Sequence, residues 1–174
     1  MKNLIGILLI SVSLIMNINA HADNTYVTVH PTFTSFTLLD TNTIGIGGGF
    51  GYNVSPIFSV EGTIDYLGTK SFNSIGITAY SYGIWAVVNP TIANIGQSRL
   101  KFVGRVGVTA NVFDVAFGNY TYTETNTNMA YGFGMVLSDN TKTDFIVDYQ
   151  RRKFTLVGYT IDADTINLGI KHTF

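Results

Sequence analysis

Residues 58–68 read FSVEGTIDYLG. Phe58, Val60, Ile64 and Tyr66 share one parity, and Ser59, Glu61, Thr63 and Asp65 share the other. Side chains of a strand alternate between its faces, so this is a strand with one apolar and one polar face. The same beat recurs along the chain. It predicts strands at about 25–36, 43–53, 57–68, 75–89, 99–113, 127–138, 143–153 and 163–174. Pro31 weakens the strand signal near the middle of the first of them. No helical periodicity follows residue 22, so the fold class is all-β, an eight-stranded antiparallel sheet.

Alternation leaves open whether the apolar face fills a core or meets lipid. Three features favour lipid. Only 12% of the residues are charged, against about 25% in soluble domains, so the polar face is too poor in charge to be a solvated surface. It carries small residues instead: Gly45, Gly47, Gly49 and Gly51 in the second strand, Ala130, Gly132 and Gly134 in the sixth. Aromatic residues stand near the strand ends on the apolar parity: Tyr52, Phe58, Tyr66, Tyr131, Phe145 and Tyr149. Rings at both margins of an apolar band form interfacial girdles. From Phe58 to Tyr66 is roughly 26 Å along an extended strand, or about 20 Å of height once tilted, near the apolar band of a transmembrane barrel. Finally, Ile166, Leu168, Ile170 and the terminal Phe174 share a parity. The reading is an eight-stranded transmembrane β-barrel with a polar interior. A soluble lipocalin-like barrel is the competing fold, and the helix it often carries is missing from the pattern.

The connections are expected to alternate in length. Those at 54–56, 90–98 and 139–142 read as short turns, although PTIANIGQS is long for one. Those at 37–42, 69–74, 114–126 and 154–162 read as longer polar loops.

The first 22 residues, MKNLIGILLISVSLIMNINAHA, place Lys2 ahead of an apolar run from Leu4 to Met16 and offer two cleavage patterns, Ile18-Asn19-Ala20 and the better-fitting Ala20-His21-Ala22. That is the layout of a cleavable signal peptide, with the barrel domain at 23–174. The run is short for a membrane-spanning helix. There is no cysteine, which excludes disulfides and thiolate metal sites. Net charge is −1 and no basic block occurs, so nucleic acid is not an expected partner.

GGFGYNVSPIFSVEGTIDYLG (48–68) and the terminal INLGIKHTF (166–174) resemble the eight-stranded outer-membrane β-barrel family, which includes opacity-type surface proteins and the membrane half of outer-membrane protein A. The resemblance implies a bacterial outer-membrane location, both termini in the periplasm, and Phe174 as part of the signal read by the barrel-insertion machinery. No wall-binding segment follows Phe174, so peptidoglycan anchoring is not implied. Strand four, IGITAYSYGIWAVVN, has apolar residues on both parities and its faces stay unassigned.

The interior census on the inward parity gives four acids, Glu61, Asp65, Asp144 and Asp148, and four bases, Lys101, Arg105, Arg152 and Lys171; Arg99 shares the parity but lies at the periplasmic turn. Counted from the short-turn ends, Glu61, Arg105 and Asp148 share a middle height. Lys101, Asp144 and Lys171 sit lower, and Asp65 and Arg152 sit near the outer rim. A paired charge network filling the lumen follows, since isolated buried charges are costly and an eight-stranded interior is just wide enough for side chains.

A non-enzymatic structural or surface-interaction role through the outer loops is the expected function, for a monomer without cofactor or metal. A lipid A-modifying enzyme and a narrow pore are the alternatives. The enzyme would need a base beside a nucleophile. His172 lies at the wrong end for that, and His30 and Ser35 fall on opposite parities. GIGGGFG (45–51) is not a phosphate loop, because Phe50 breaks the motif and a strand follows it. Tyr120 and Tyr122 in the loop at 114–126 are candidates for meeting an extracellular ligand; the competing reading is that the alternation there extends the strands above the membrane. Lys70, Arg151, Arg152 and Lys153 at the outer strand ends are candidates for pairing with lipopolysaccharide phosphates, among the outer-membrane lipids expected as partners. Snorkelling at the interface is the competing role.

Overall fold

The computed structural model describes residues 24–72, 75–139 and 142–174; the expected signal segment lies outside them. Nine strands follow one another: β1 (Thr25–Phe36), β2 (Thr41–Ser55), β3 (Phe58–Phe72), β4 (Ile75–Val88), β5 (Thr91–Ile95), β6 (Ser98–Phe117), β7 (Tyr120–Ser138), β8 (Thr143–Leu156) and β9 (Tyr159–Thr173). Each pairs antiparallel with its neighbours. β4 pairs with β6 and β1 with β9, so eight strands close into a barrel. The ninth, β5, sits below β4 on the same side of β6 and acts as its continuation past Asn89-Pro90.

The register fixes the barrel's geometry. One row of paired residues runs Thr25, Tyr52, Val60, Ala86, Val106, Tyr131, Arg151, Asp164 and returns to β1 at Ser35, ten residues from its start. For eight strands that stagger corresponds to a tilt of about 43° and a backbone radius of about 8 Å.

Alternation decides the faces. In β3, Ser59, Glu61, Thr63 and Asp65 are buried in the lumen, while Val60 and Ile64 are exposed on the outer wall. Val29, Phe33, Ile44, Ile46, Ile84, Val106, Val108, Phe133, Val147, Ile166 and Leu168 complete an apolar outer surface. The girdle aromatics Tyr52, Phe58, Tyr66, Tyr131, Phe145 and Tyr149 all lie on that wall. In β4 the bulky Trp85 turns inward and is fully buried, and Tyr82 and Ile84 turn outward.

Two expectations need correction. Two of the polar stretches read as longer outer loops, 114–126 and 154–162, are mostly strand: β6 and β7 are joined by Gly118-Asn119, and β8 and β9 by Val157-Gly158. These residues sit above the lipid band, where polar side chains on both faces erase the apolar signal. PTIANIGQS is likewise a hairpin, β5 turning into β6 at Gly96-Gln97, with Gly96 in the left-handed region at φ +61°. β1 runs through Pro31 as expected, and its β9 pairs resume only at Thr32 after Val29, since proline has no amide hydrogen to give.

Glycines of the inner face make room for the interior charges. A Cβ on Gly47 would stand 1.9 Å from Asp65 Oδ1 and 2.5 Å from His30 Nε2, whereas one on the lipid-facing Gly62 meets nothing nearer than 3.9 Å. Gly47→Val should therefore destabilise the barrel by about 1–3 kcal/mol through overpacking. Gly62→Val should be neutral within about 0.5 kcal/mol. Urea unfolding of both variants in lipid vesicles checks the contrast, and equal loss in the two would contradict the facing.

Candidate functional site

The lumen is layered along the barrel axis. Lowest, at the end that carries Asn24 and Phe174, Lys101, Asp144 and Lys171 line an open mouth. Tyr26 lies above them as a floor; it is 1% exposed and its hydroxyl donates to Ser59 Oγ at 3.3 Å.

Next comes the first ion tier. Arg105 reaches Glu61 Oε1 through Nη1 at 3.1 Å and Asp148 Oδ2 through Nη2 at 2.8 Å. Asn167 donates to the other oxygen of Asp148, Oδ1, at 2.7 Å. One guanidinium thus bridges carboxylates from β3 and β8 across the lumen. Their similar height follows from the stagger, which lifts successive strands by a regular increment.

The second tier holds Asp65 between two donors. Arg152 Nη2 lies 2.6 Å from Asp65 Oδ2, and His30 Nε2 lies 2.9 Å from Oδ1. Gln150 ties the tiers together, accepting from Arg152 and donating to Asp148 Oδ2 at 3.3 Å. Trp85 stands between them. Its indole donates to Thr63 Oγ1 at 3.0 Å, and the Arg105 and Arg152 guanidinium carbons lie 5.8 and 5.9 Å from its ring. Nε of both arginines and Nη1 of Arg152 are buried without an acceptor. The negative face of the indole supplies part of the missing compensation.

Above the second tier the lumen becomes apolar. Phe36, Leu67, Ala79, Phe113, Phe154, Ile161 and Ala163 form one buried cluster. The rings of Phe36, Phe113 and Phe154 pack with centroids 4.7–5.8 Å apart. This cap seals the outer end. A void beside the first tier and another beside the cap at the outer mouth measure about 10 Å³ each, room for about one water.

All eight charged residues of the interior census line this interior or its mouth. Two placements differ from the sequence reading. Asp65 and Arg152 are not at the rim: they are 1% and 0% exposed, because the strands continue past them and the cap closes above. For the same reason Arg152 is out of reach of lipopolysaccharide. Of the other three bases, Lys70 lies beyond the bulge between Tyr66 and Gly68. That bulge turns Lys70 to the inner side of the outer mouth, beside Phe36 and Ala79. Arg151 faces outward but is held by Asp164 through Nε at 2.6 Å and Nη2 at 2.8 Å. Lys153 faces outward, opposite Asp162.

Trp85, His30 as a partner of Asp65, and the apolar cap escaped the sequence reading. The cap had a signal: Leu67, Phe113 and Phe154 continue the inward parity of Asp65, Arg105 and Arg152 toward the outer ends. His30 had none, since its acid comes from β3. Ser35 is exposed on the other face, so it does not stand beside that histidine. Among the described residues no cluster of His, Cys, Asp or Glu could hold a metal ion.

Residues 5–174 match the family described as outer membrane protein beta-barrel domain. The chain belongs to that family. It is an integral protein of the bacterial outer membrane. Similar solved structures share its fold at low identity. Neisserial surface protein A (NspA) is 14% identical at a TM-score of 0.64, covering 86% of this chain and 96% of that one. Ail, the attachment invasion locus protein of Yersinia pestis, is 15% identical at 0.60, covering 87% and 97%. The N-terminal barrel domain of Pseudomonas aeruginosa OprF is 12% identical at 0.56, covering 86% and 97%. No curated protein sequence matches the chain.

Removing Arg105 strands two buried carboxylates at once. Arg105→Ala should lower stability by about 3–5 kcal/mol, the range for breaking a buried pair by deleting one partner. The double change Glu61→Gln with Asp148→Asn in the Arg105→Ala background should recover part of that loss. Heat-modifiability gels and urea midpoints provide the measurement, and unchanged heat stability of Arg105→Ala would refute the network.

Proposed function

We propose that this barrel acts at the cell surface through its outer strand extensions, as an attachment or surface-interaction protein, and neither conducts ions nor catalyses a reaction. One observation carries the reading. The β7–β8 ladder ends at the Tyr131↔Arg151 pair, while β6 and β7 stay paired up to Phe117↔Tyr120. The segment Tyr120–Ala130 therefore has a backbone neighbour on the β6 side alone.

Its loose side is tethered by side chains. Glu124 Oε2 accepts from Val157 N–H at 2.8 Å, Asn128 donates to the Lys153 carbonyl at 3.1 Å, and Asn126 reaches the backbone of Lys153 and Thr155. Thr121, Thr123, Thr125 and Thr127 face outward. This edge is long and free of lysine, proline and bulges, the devices that blunt unwanted strand pairing. It suits addition of an extended segment from another protein, with Tyr120 and Tyr122 exposed at the tip.

The solved relative Ail has been crystallised with the heparin analogue sucrose octasulfate. The described outer turns and strand ends of this chain do not favour so anionic a ligand. Asp40, Asp114, Glu124 and Asp162 outnumber Lys70 and Lys153, since Arg151 is taken by Asp164. A protein partner offering backbone hydrogen bonds fits better than a polysulfate. Lipopolysaccharide remains a partner of the outer wall, with Lys153 the base best placed for a phosphate. Phe174 is proposed as the insertion signal; it faces outward, and its amide donates to the Thr25 carbonyl at 3.1 Å.

Cells displaying the barrel should attach to a cultured cell layer several-fold more than cells lacking it. Thr123→Lys with Thr125→Lys, which blunts the β7 edge, should return attachment to background while the unheated gel mobility stays that of a folded barrel. Planar bilayers should show no stepwise conductance. Equal attachment with and without the protein, or discrete channels, would contradict the proposal.

A further inference from the structure

We propose that the lower mouth of the barrel is a binding site for a small oxyanion, a phosphate or carboxylate group held between the ammonium groups of Lys101 and Lys171. This mouth opens at the end carrying Asn24 and Thr173, which faces the periplasm in the orientation the family implies. It is a cavity of about 340 Å³, large enough for a small organic anion, and polar side chains dominate its wall.

Lys101 comes from β6 and Lys171 from β9, three strands apart around the barrel, and both line the same cavity. Neither makes a salt bridge with a described residue. Lys171 rests with Nζ 3.8 Å from the centre of the Tyr26 ring, which fixes its ammonium at the floor. Among the described residues the single side-chain carboxylate on the wall is Asp144, the rung partner of Lys171 across β8 and β9. Two ammoniums against one carboxylate leave the mouth positive. The amides of Asn24, Asn53 and Asn89 and the hydroxyl groups of Ser55 and Thr173 add neutral donors around the rim.

The interior above offers no competing anion at this level. The carboxylates of Glu61 and Asp148 are engaged by Arg105, and the Tyr26 ring lies between them and the mouth. A cation would meet the two lysines first and is excluded. An oxyanion would complete charge-assisted hydrogen bonds with both ammoniums, and these are the stronger kind. A divalent phosphate should accordingly bind more tightly than a monocarboxylate.

The test is isothermal titration of the folded full-length barrel in detergent with inorganic phosphate, and separately with acetate and succinate. Saturable one-to-one binding is expected. Lys101→Met and Lys171→Met should each weaken it at least tenfold, and Asp144→Asn should tighten it severalfold. Arg99→Met, at the same end but outside the cavity wall, should leave affinity unchanged. Preference for phosphate would indicate free phosphate or a phosphorylated compound as the natural source, and preference for succinate a carboxylate-bearing one. Unheated gel mobility certifies each variant as folded. Absence of saturable binding to the wild-type barrel, or affinity unchanged in both lysine variants, would overturn the proposal.

Discussion

Backbone hydrogen bonding in lipid governs everything else in this molecule. An N–H or C=O left unpaired in hydrocarbon costs several kcal/mol, so a sheet that enters a membrane must have no edge there. The β1–β9 and β4–β6 ladders supply that closure. The consequences are geometric. Closure with a ten-residue stagger sets the tilt and a narrow bore, and the bore dictates which side chains can face inward. Where the chain leaves the lipid the constraint is lifted, and there β7 parts from β8 and exchanges backbone rungs for Asn126, Asn128 and Glu124.

A narrow polar bore must then be filled without stranding charge. Glycines at 45, 47, 49 and 51 thin one wall, and Arg105 and Arg152 cross from the other side to meet Glu61, Asp148 and Asp65. The energetic return of such buried pairs is small relative to an apolar filling. Their value lies in register: each pair joins residues from strands that are not neighbours, so a slipped strand would lose its partners. The apolar cap does the complementary task above the lipid, packing three phenylalanine rings where no membrane holds the wall in place. Together these layers divide the molecule into a sealed middle and two chemically distinct ends, an edge-rich outer sheet and a cationic lower mouth.

How much of this was legible in the sequence follows from where polarity alternates. Within the lipid band each outward residue must be apolar and most inward ones polar or small, so β3 could be read residue by residue from FSVEGTIDYLG. The heights of Glu61, Arg105 and Asp148 could be counted from the turns because strand rise is regular. Outside the band the rule fails. TYTETN (121–126) is polar on both faces and reads as a loop, although it belongs to the upper part of β7. Trp85 was ambiguous because Val87 and Ala79 put apolar residues on its own inward parity. The pairing of His30 with Asp65 depends on side chains from β1 and β3 meeting across β2, which a single strand's pattern does not encode.

Collision of lipid-dissolved oxygen with nitroxide labels, placed one at a time at residues 58–66 of the vesicle-reconstituted barrel, tests the central claim most directly. The account predicts a period of two, with high oxygen accessibility at Phe58, Val60, Ile64 and Tyr66 and low values at Ser59, Glu61, Thr63 and Asp65. The opposite phase, or a flat profile along the strand, would contradict a cylinder that meets lipid with its apolar face and encloses its charges.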